Sequence, residues 1–141
     1  MKNSALYIIN ILLCIFVLSS CDSKWDENGK LDGMWQLTEW RDLTADTIVA
    51  TNQDGIYYCV QLKLIKLQRR GYDDHHLSAF SHEGNSLTIG RTTAWPADTV
   101  APMADLIRYG VPADGRFNIS QLTSSRLVLS TAKSVLTFRK Y

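Results

Sequence analysis

The sequence has no excess charge of either sign, few cysteines, and no apolar run long enough to cross a bilayer. Of its 141 residues, 15 are basic and 14 acidic. A chain so balanced has no overall field to draw it onto DNA, RNA or an anionic membrane surface. Arg69-Arg70 is too short to form a nucleic-acid patch. Three cysteines, Cys14, Cys21 and Cys59, are too few and too scattered for a disulfide scaffold. No histidine or lysine cluster adjoins Cys59 in sequence, so a small strand or core residue is expected there rather than a reactive thiol. The longest apolar stretch, Ala5 to Leu18, is broken only by Asn10. As a helix its fourteen residues reach about 21 Å, short of the roughly 30 Å hydrocarbon core.

Catalytic patterns are missing too. There is no Gly-x-Ser-x-Gly elbow, and no Gly-rich loop between a strand and a helix to cradle phosphate. Asp73-Asp74-His75-His76, with His82-Glu83 further on, has metal-ligand chemistry. Its geometry is unfavourable. On one strand, His76 and His82 stand about 20 Å apart, and His75 and His76 point to opposite faces. The cluster is expected to be a solvated hairpin end, with Asp73 and Asp74 facing water rather than each other. The chain is therefore read as a non-enzyme without metal or cofactor.

What is present begins with a leader. Lys2-Asn3 is followed by the apolar run and by small residues, the order of a secretory signal. Leu18-Ser19-Ser20-Cys21 resembles the lipobox of bacterial lipoproteins. That resemblance implies removal of residues 1–20 and two or three acyl chains on Cys21. One chain anchors only marginally, at about 0.8 kcal/mol per buried methylene; two or more make the anchor lasting. Removing the leader takes away Lys2 alone among charged residues, leaving 14 basic and 14 acidic side chains, a net of zero. Residues 21–30 are polar, charged and glycine-bearing, the composition of a flexible tether. The expected location is the cell envelope, held to a membrane through Cys21, on the periplasmic face or the cell surface.

Residues 31–141 are one domain's length and alternate like strands. Trp35 and Leu37 share one face, Gln36 and Thr38 the other. Thr47 to Thr51 is a short β-rich run. Ile56 to Arg69 is expected to be one long strand, its change of parity marking a bulge or bend. His76 to His82 and the segment through Leu87 and Ile89 flank Gly84-Asn85, a two-residue hairpin signal. Arg91 to Ala101 is expected to be irregular. Pro102 to Gly110 is the one helix, with Met103, Leu106, Ile107 and Gly110 on one face. Strands through Phe117 and Ile119, Leu127 and Leu129, and Leu136 and Phe138 complete the series. The fold class is all-β: an antiparallel up-and-down barrel of about eight strands with one short helix.

Gly33-x-Trp35 on the first strand, with Arg139 on the last, resembles the lipocalin pattern. The resemblance implies that Trp35 closes one end of the barrel and that Arg139 packs over the indole, as a cation–π contact would favour. The segment Leu106 to Tyr141 is also similar to small bacterial lipocalin-like lipoproteins. Ordinary lipocalins add a disulfide and a long C-terminal helix, which this sequence lacks.

The aromatics Trp40, Tyr57, Tyr58, Phe80, Trp95 and Phe117 are the candidates for lining a lumen or its mouth. An eight-stranded barrel leaves just enough room for side chains, so the same residues also suit a filled core. Three functions follow. The first is a membrane-tethered module binding a small apolar or amphipathic ligand. The second is a filled accessory barrel acting through its outer surface on another envelope protein. The third is a small-barrel inhibitor of an extracellular hydrolase.

Overall fold

The computed structural model describes residues 27–141, so the leader, Cys21 and the start of the tether lie outside the described residues. Ten strands follow one another: β1 Gly33–Asp42, β2 Thr47–Thr51, β3 Ile56–Gln61, β4 Leu64–Arg69, β5 His75–Glu83, β6 Ser86–Trp95, β7 Thr99–Ala101, β8 Arg116–Leu122, β9 Arg126–Ser130 and β10 Ser134–Lys140. Eight of them form an antiparallel ring in the order β1-β3-β4-β5-β6-β8-β9-β10, and β10 pairs back onto β1 to close it. Strands β2 and β7 stand outside the ring, β2 against the second half of β1 and β7 against the second half of β6. Closure satisfies backbone groups that an open sheet would leave as edges.

The alternation drives this closure. Trp35, Tyr58, Val60, Ile65, Leu67, Leu87, Phe117, Leu127, Leu129, Leu136 and Phe138 all belong to one buried cluster. Each large apolar side chain buried in this way contributes roughly 1.5–3 kcal/mol. Strand β5 brings a polar exception into the interior. Ser78 and Thr92 are buried as a hydroxyl pair at 2.7 Å, and Thr92 also reaches the Gly90 carbonyl.

Four expectations need correction. Ile56 to Arg69 is a hairpin, not one bent strand. Gln61 pairs with Leu64, and Leu62 turns the chain at φ 54°. In a two-residue hairpin, facing partners have opposite parity, so Val60 meets Ile65 and Tyr58 meets Leu67. Arg91 to Ala101 is ordered. Strand β6 runs on to Trp95, and β7 folds back along it. The segment Met103–Tyr109 is a 3₁₀ helix rather than an α-helix. Its three-residue period brings Met103, Leu106 and Tyr109 to the barrel and leaves Ile107 52% exposed. The fourth concerns Arg139 and is treated with the near end below.

The register gives the barrel two ends. The chain enters at the near end, where Gly33 pairs with Val60 and Trp35 with Lys140. The last residues of the expected tether are already held there: Asn28 donates to the Asp32 carboxylate at 2.6 Å and to the Leu62 carbonyl at 2.5 Å. A single 3₁₀ turn, Gly29–Leu31, seats Leu31 under the barrel, and the Trp35 indole N–H donates to the Leu31 carbonyl at 2.8 Å. Trp35 is fully buried at this end, and the cation over its ring is Lys140, whose Nζ lies 4.9 Å from the ring centre. Residues 136, 138 and 140 share the inward parity of β10, so Arg139 points outward and donates twice to the Gln36 amide oxygen. Gly33, at φ 121°, leaves room for the lysine: a Cβ there would come within 2.6 Å of Lys140 Cε.

Candidate functional site

The far end is defined by Asp42, Ser134, Ser130 and Arg69 and is roofed by Met103–Tyr109. Leu106 and Tyr109 are inserted from that roof, and the Tyr58 hydroxyl donates to the Tyr109 carbonyl at 2.8 Å. Arg108 reaches across to Asp74 at 2.7 Å, tying the roof to the start of β5. Gly110 ends the 3₁₀ segment in the left-handed conformation, pressed against the wall. A Cβ there would meet Leu136 Cδ2 at 2.6 Å and Trp40 Cδ2 at 3.5 Å.

A groove of about 1020 Å³ opens beside this roof, between residues 110–116 and the β9–β10 turn. Trp40, Ile107, Val111, Pro112 and Phe117 form its apolar wall. Asp42, Asp114, Arg116, Lys133, Ser130 and Thr131 supply its polar rim. Trp40 is there because of a bulge. The pairing of β1 with β10 slips between Leu37 and Glu39, so Trp40 falls opposite the inward Leu136. Without that extra residue the alternation begun by Trp35 and Leu37 would turn Trp40 outward.

The rim carries two acids and two bases, so it presents both signs. Asp42 is the most fixed of them. Backbone N–H groups of Ala45 and Thr44 hold its carboxyl below the usual range, and Lys133 adds to this. Asp114 accepts from the Arg116 backbone N–H at 3.1 Å.

The structure separates the other candidate aromatics. Only Trp40 and Phe117 meet at the groove. Tyr58 is deep in the core, where burial pushes its hydroxyl pKa far up. Phe80 packs half-buried against the core. Trp95 is 55% exposed on the outer wall, stacked on His75 at 5.8 Å and 18°. Tyr57 also faces outward, beneath Tyr141. Ile107, Val111, Pro112, Arg116 and Lys133 were not singled out from sequence. Val111 and Pro112 had only the glycine-bounded loop after the helix-like stretch as a signal.

The histidine cluster is divided rather than solvated as a whole. His76 turns inward, is 2% exposed, and rests against the edge of Tyr109 with ring centres 5.5 Å apart. Its Nδ1 has no hydrogen-bond partner among the described residues. Burial lowers its pKa, with Arg108 acting in the same direction. Among the described residues no three His, Cys, Asp or Glu side chains group closely enough to hold a metal. Cys59 faces outward from β3, half-buried, and burial raises its thiol pKa against the opposing pull of Lys66.

Residues 16–141 match the sequence profile of the lipocalin-like domain. The chain belongs to the lipocalin-like domain family. Solved structures agree on the fold. A lipocalin-like protein from Bacteroides uniformis is 22% identical, with a TM-score of 0.62 over 80% of this chain and 100% of that one. An uncharacterized protein from Bacteroides eggerthii gives 20% and 0.56, covering 78% of this chain and 98% of that one. A protein from Burkholderia xenovorans gives 14% and 0.52, covering 78% and 82%. No curated protein matches the chain. The lipocalin-like barrel often binds small hydrophobic ligands and is generally non-enzymatic.

Proposed function

We propose that this lipocalin-like chain is a lipid-anchored protein of the bacterial cell envelope that binds a small amphipathic ligand at the far mouth of its barrel. The observation that carries the reading is the groove. Its apolar wall holds Trp40 and Phe117, its rim is charged, and its volume reaches the upper end of ligand-pocket sizes. The ligand's apolar part would lie along Trp40, Val111 and Phe117, with its polar part among Arg116, Lys133 and the two aspartates. Binding, not turnover, is the proposed activity, and it requires no cofactor. Acyl chains on Cys21 would hold the barrel by its near end. Glu27 lies six positions beyond Cys21, about 20 Å when extended. The groove at the opposite end would then face away from the membrane.

Native mass spectrometry of the purified mature protein tests the ligand. A retained small molecule is expected on wild type and is expected to be lost from Ile107→Arg, which places a charge on the exposed part of the groove wall. Metabolic labelling with a fatty-acid analogue tests the anchor; wild type should label and Cys21→Ala should not. A second reading has its own support. The barrel interior is packed with side chains, while Leu77, Trp95 and Val100 are exposed outside. A filled barrel of that kind would act on another envelope protein, and a purified protein with no bound small molecule would favour it.

A further inference from the structure

A second recess, of about 340 Å³, lies on the outer wall over β1, β3, β4 and the start of β5. It shares no lining residue with the mouth groove. Its floor is Tyr57, outward-facing yet only 4% exposed. Tyr141 stands edge-on to Tyr57, with ring centres 5.5 Å apart at 88°. Tyr72 and the imidazole of His75 also line it, and Gln68 adds an amide. Three tyrosine rings and an imidazole around so small a space suit a flat ring ligand.

The charged side chains of the recess are all basic. Arg69 is drawn off to Asp54, at 3.3 Å. Arg70 has no carboxylate partner among the described residues. Its Nη2 donates to the Tyr57 hydroxyl at 2.9 Å, and its Cζ lies 5.9 Å from the centre of that ring. Its backbone N–H is fixed to the Gly55 carbonyl at 2.8 Å. The guanidinium is thus oriented beside an aromatic floor with donors left over. No acidic side chain lines the recess to compete for them.

We propose that this recess binds a small ring-bearing carboxylate. The planar guanidinium fork of Arg70 matches a carboxylate through two parallel N–H donations. The ring of the ligand would lie among Tyr57, Tyr72 and Tyr141, with the Gln68 amide beside it. The volume holds about one ring with its substituents.

The test is an amide-shift NMR titration of the mature protein. The probes are glucuronate and benzoate, each beside its neutral counterpart, methyl glucoside or benzyl alcohol. Inorganic phosphate at matched ionic strength is the control for simple anion binding. At least one acid should shift the Tyr57, Gln68 and Arg70 signals saturably, with a Kd lower than its neutral counterpart by about tenfold or more. Tighter glucuronate binding identifies a sugar acid as the ligand type, and tighter benzoate binding an aromatic acid. Arg70→Gln should weaken acid binding by a similar factor while leaving the Trp40 and Phe117 signals in place, and Tyr141→Ala should weaken acid and neutral rings together. The proposal is overturned by no saturable shift with either acid, by neutral rings binding equally well, by phosphate giving the same shifts, or by Arg70→Gln binding as wild type.

Discussion

The two ends of this barrel are built from similar parts and reach opposite outcomes. Each has a tryptophan on β1 and a short 3₁₀ segment laid across the opening. At the near end Trp35 is fully buried, its indole N–H is satisfied by Leu31, and Lys140 covers its face. At the far end Trp40 is half-buried, and the seven-residue roof leaves Ile107 outside and a groove beside it. The first tryptophan is a plug and the second a wall. Residue type does not separate them; strand register and the fit of the covering segment do.

Removing the plug should have the largest effect. Trp35→Ala is expected to cost about 3–5 kcal/mol in denaturant unfolding. Trp40→Ala should cost about 1–2 kcal/mol and chiefly weaken ligand retention. Equal losses from the two would erase the distinction between the ends.

Gly110→Ala sharpens the comparison at the roof. The residue is left-handed, and its new Cβ would run into Leu136, so a loss of about 1–3 kcal/mol is expected. Gly71→Ala is the control, since Gly71 has a similar φ of 82° and open space around it. Its smaller loss would isolate the steric part of the Gly110 effect.

Acid should act on the far end before the near one. In the fold the His76 pKa is lowered, first by burial and then by Arg108, against the opposing pull of Asp105 and Asp74. As pH falls, the unfolded chain therefore takes up its proton first. Stability is full above the ordinary value of 6.5 and declines below it. Denaturant midpoints measured across that range should show the decline, and His76→Leu should flatten it. His75, also shifted downward by burial, would leave a remainder. NMR signals of Tyr109 should move with His76 while the Trp35 indole signal stays.

The smallest effect belongs to Lys140→Met, which keeps the stem and removes the charge above Trp35. A loss of about 0.5–1 kcal/mol is expected, read as a small shift in the same unfolding midpoint.

Much of the barrel was legible in the linear pattern. Alternation placed Trp35, Leu37, Tyr58, Phe117, Leu129 and Phe138 on inward faces, and Gly84-Asn85 marked a hairpin that forms. The turn at Leu62-Lys63 was hidden because neither residue is a usual turn former. Trp40 and Phe117 were legible as ligand candidates, but Tyr58 and Trp95 looked no different from them. One went to the core and the other to the outer wall. The outer recess was illegible, since Tyr57, Arg70 and Tyr141 meet only when β10, β1, β3 and β4 pair side by side.

The amino-acid order determined that this chain makes an antiparallel barrel, because period-two alternation needs only local geometry to sort side chains between two faces. Tertiary pairing decided which barrel end stays open, which cation covers Trp35, and that residues 103–109 tighten to 3₁₀. Those outcomes depend on where distant strands come into register. A slip of one residue, as at the β1 bulge, exchanges inside for outside without any change in composition.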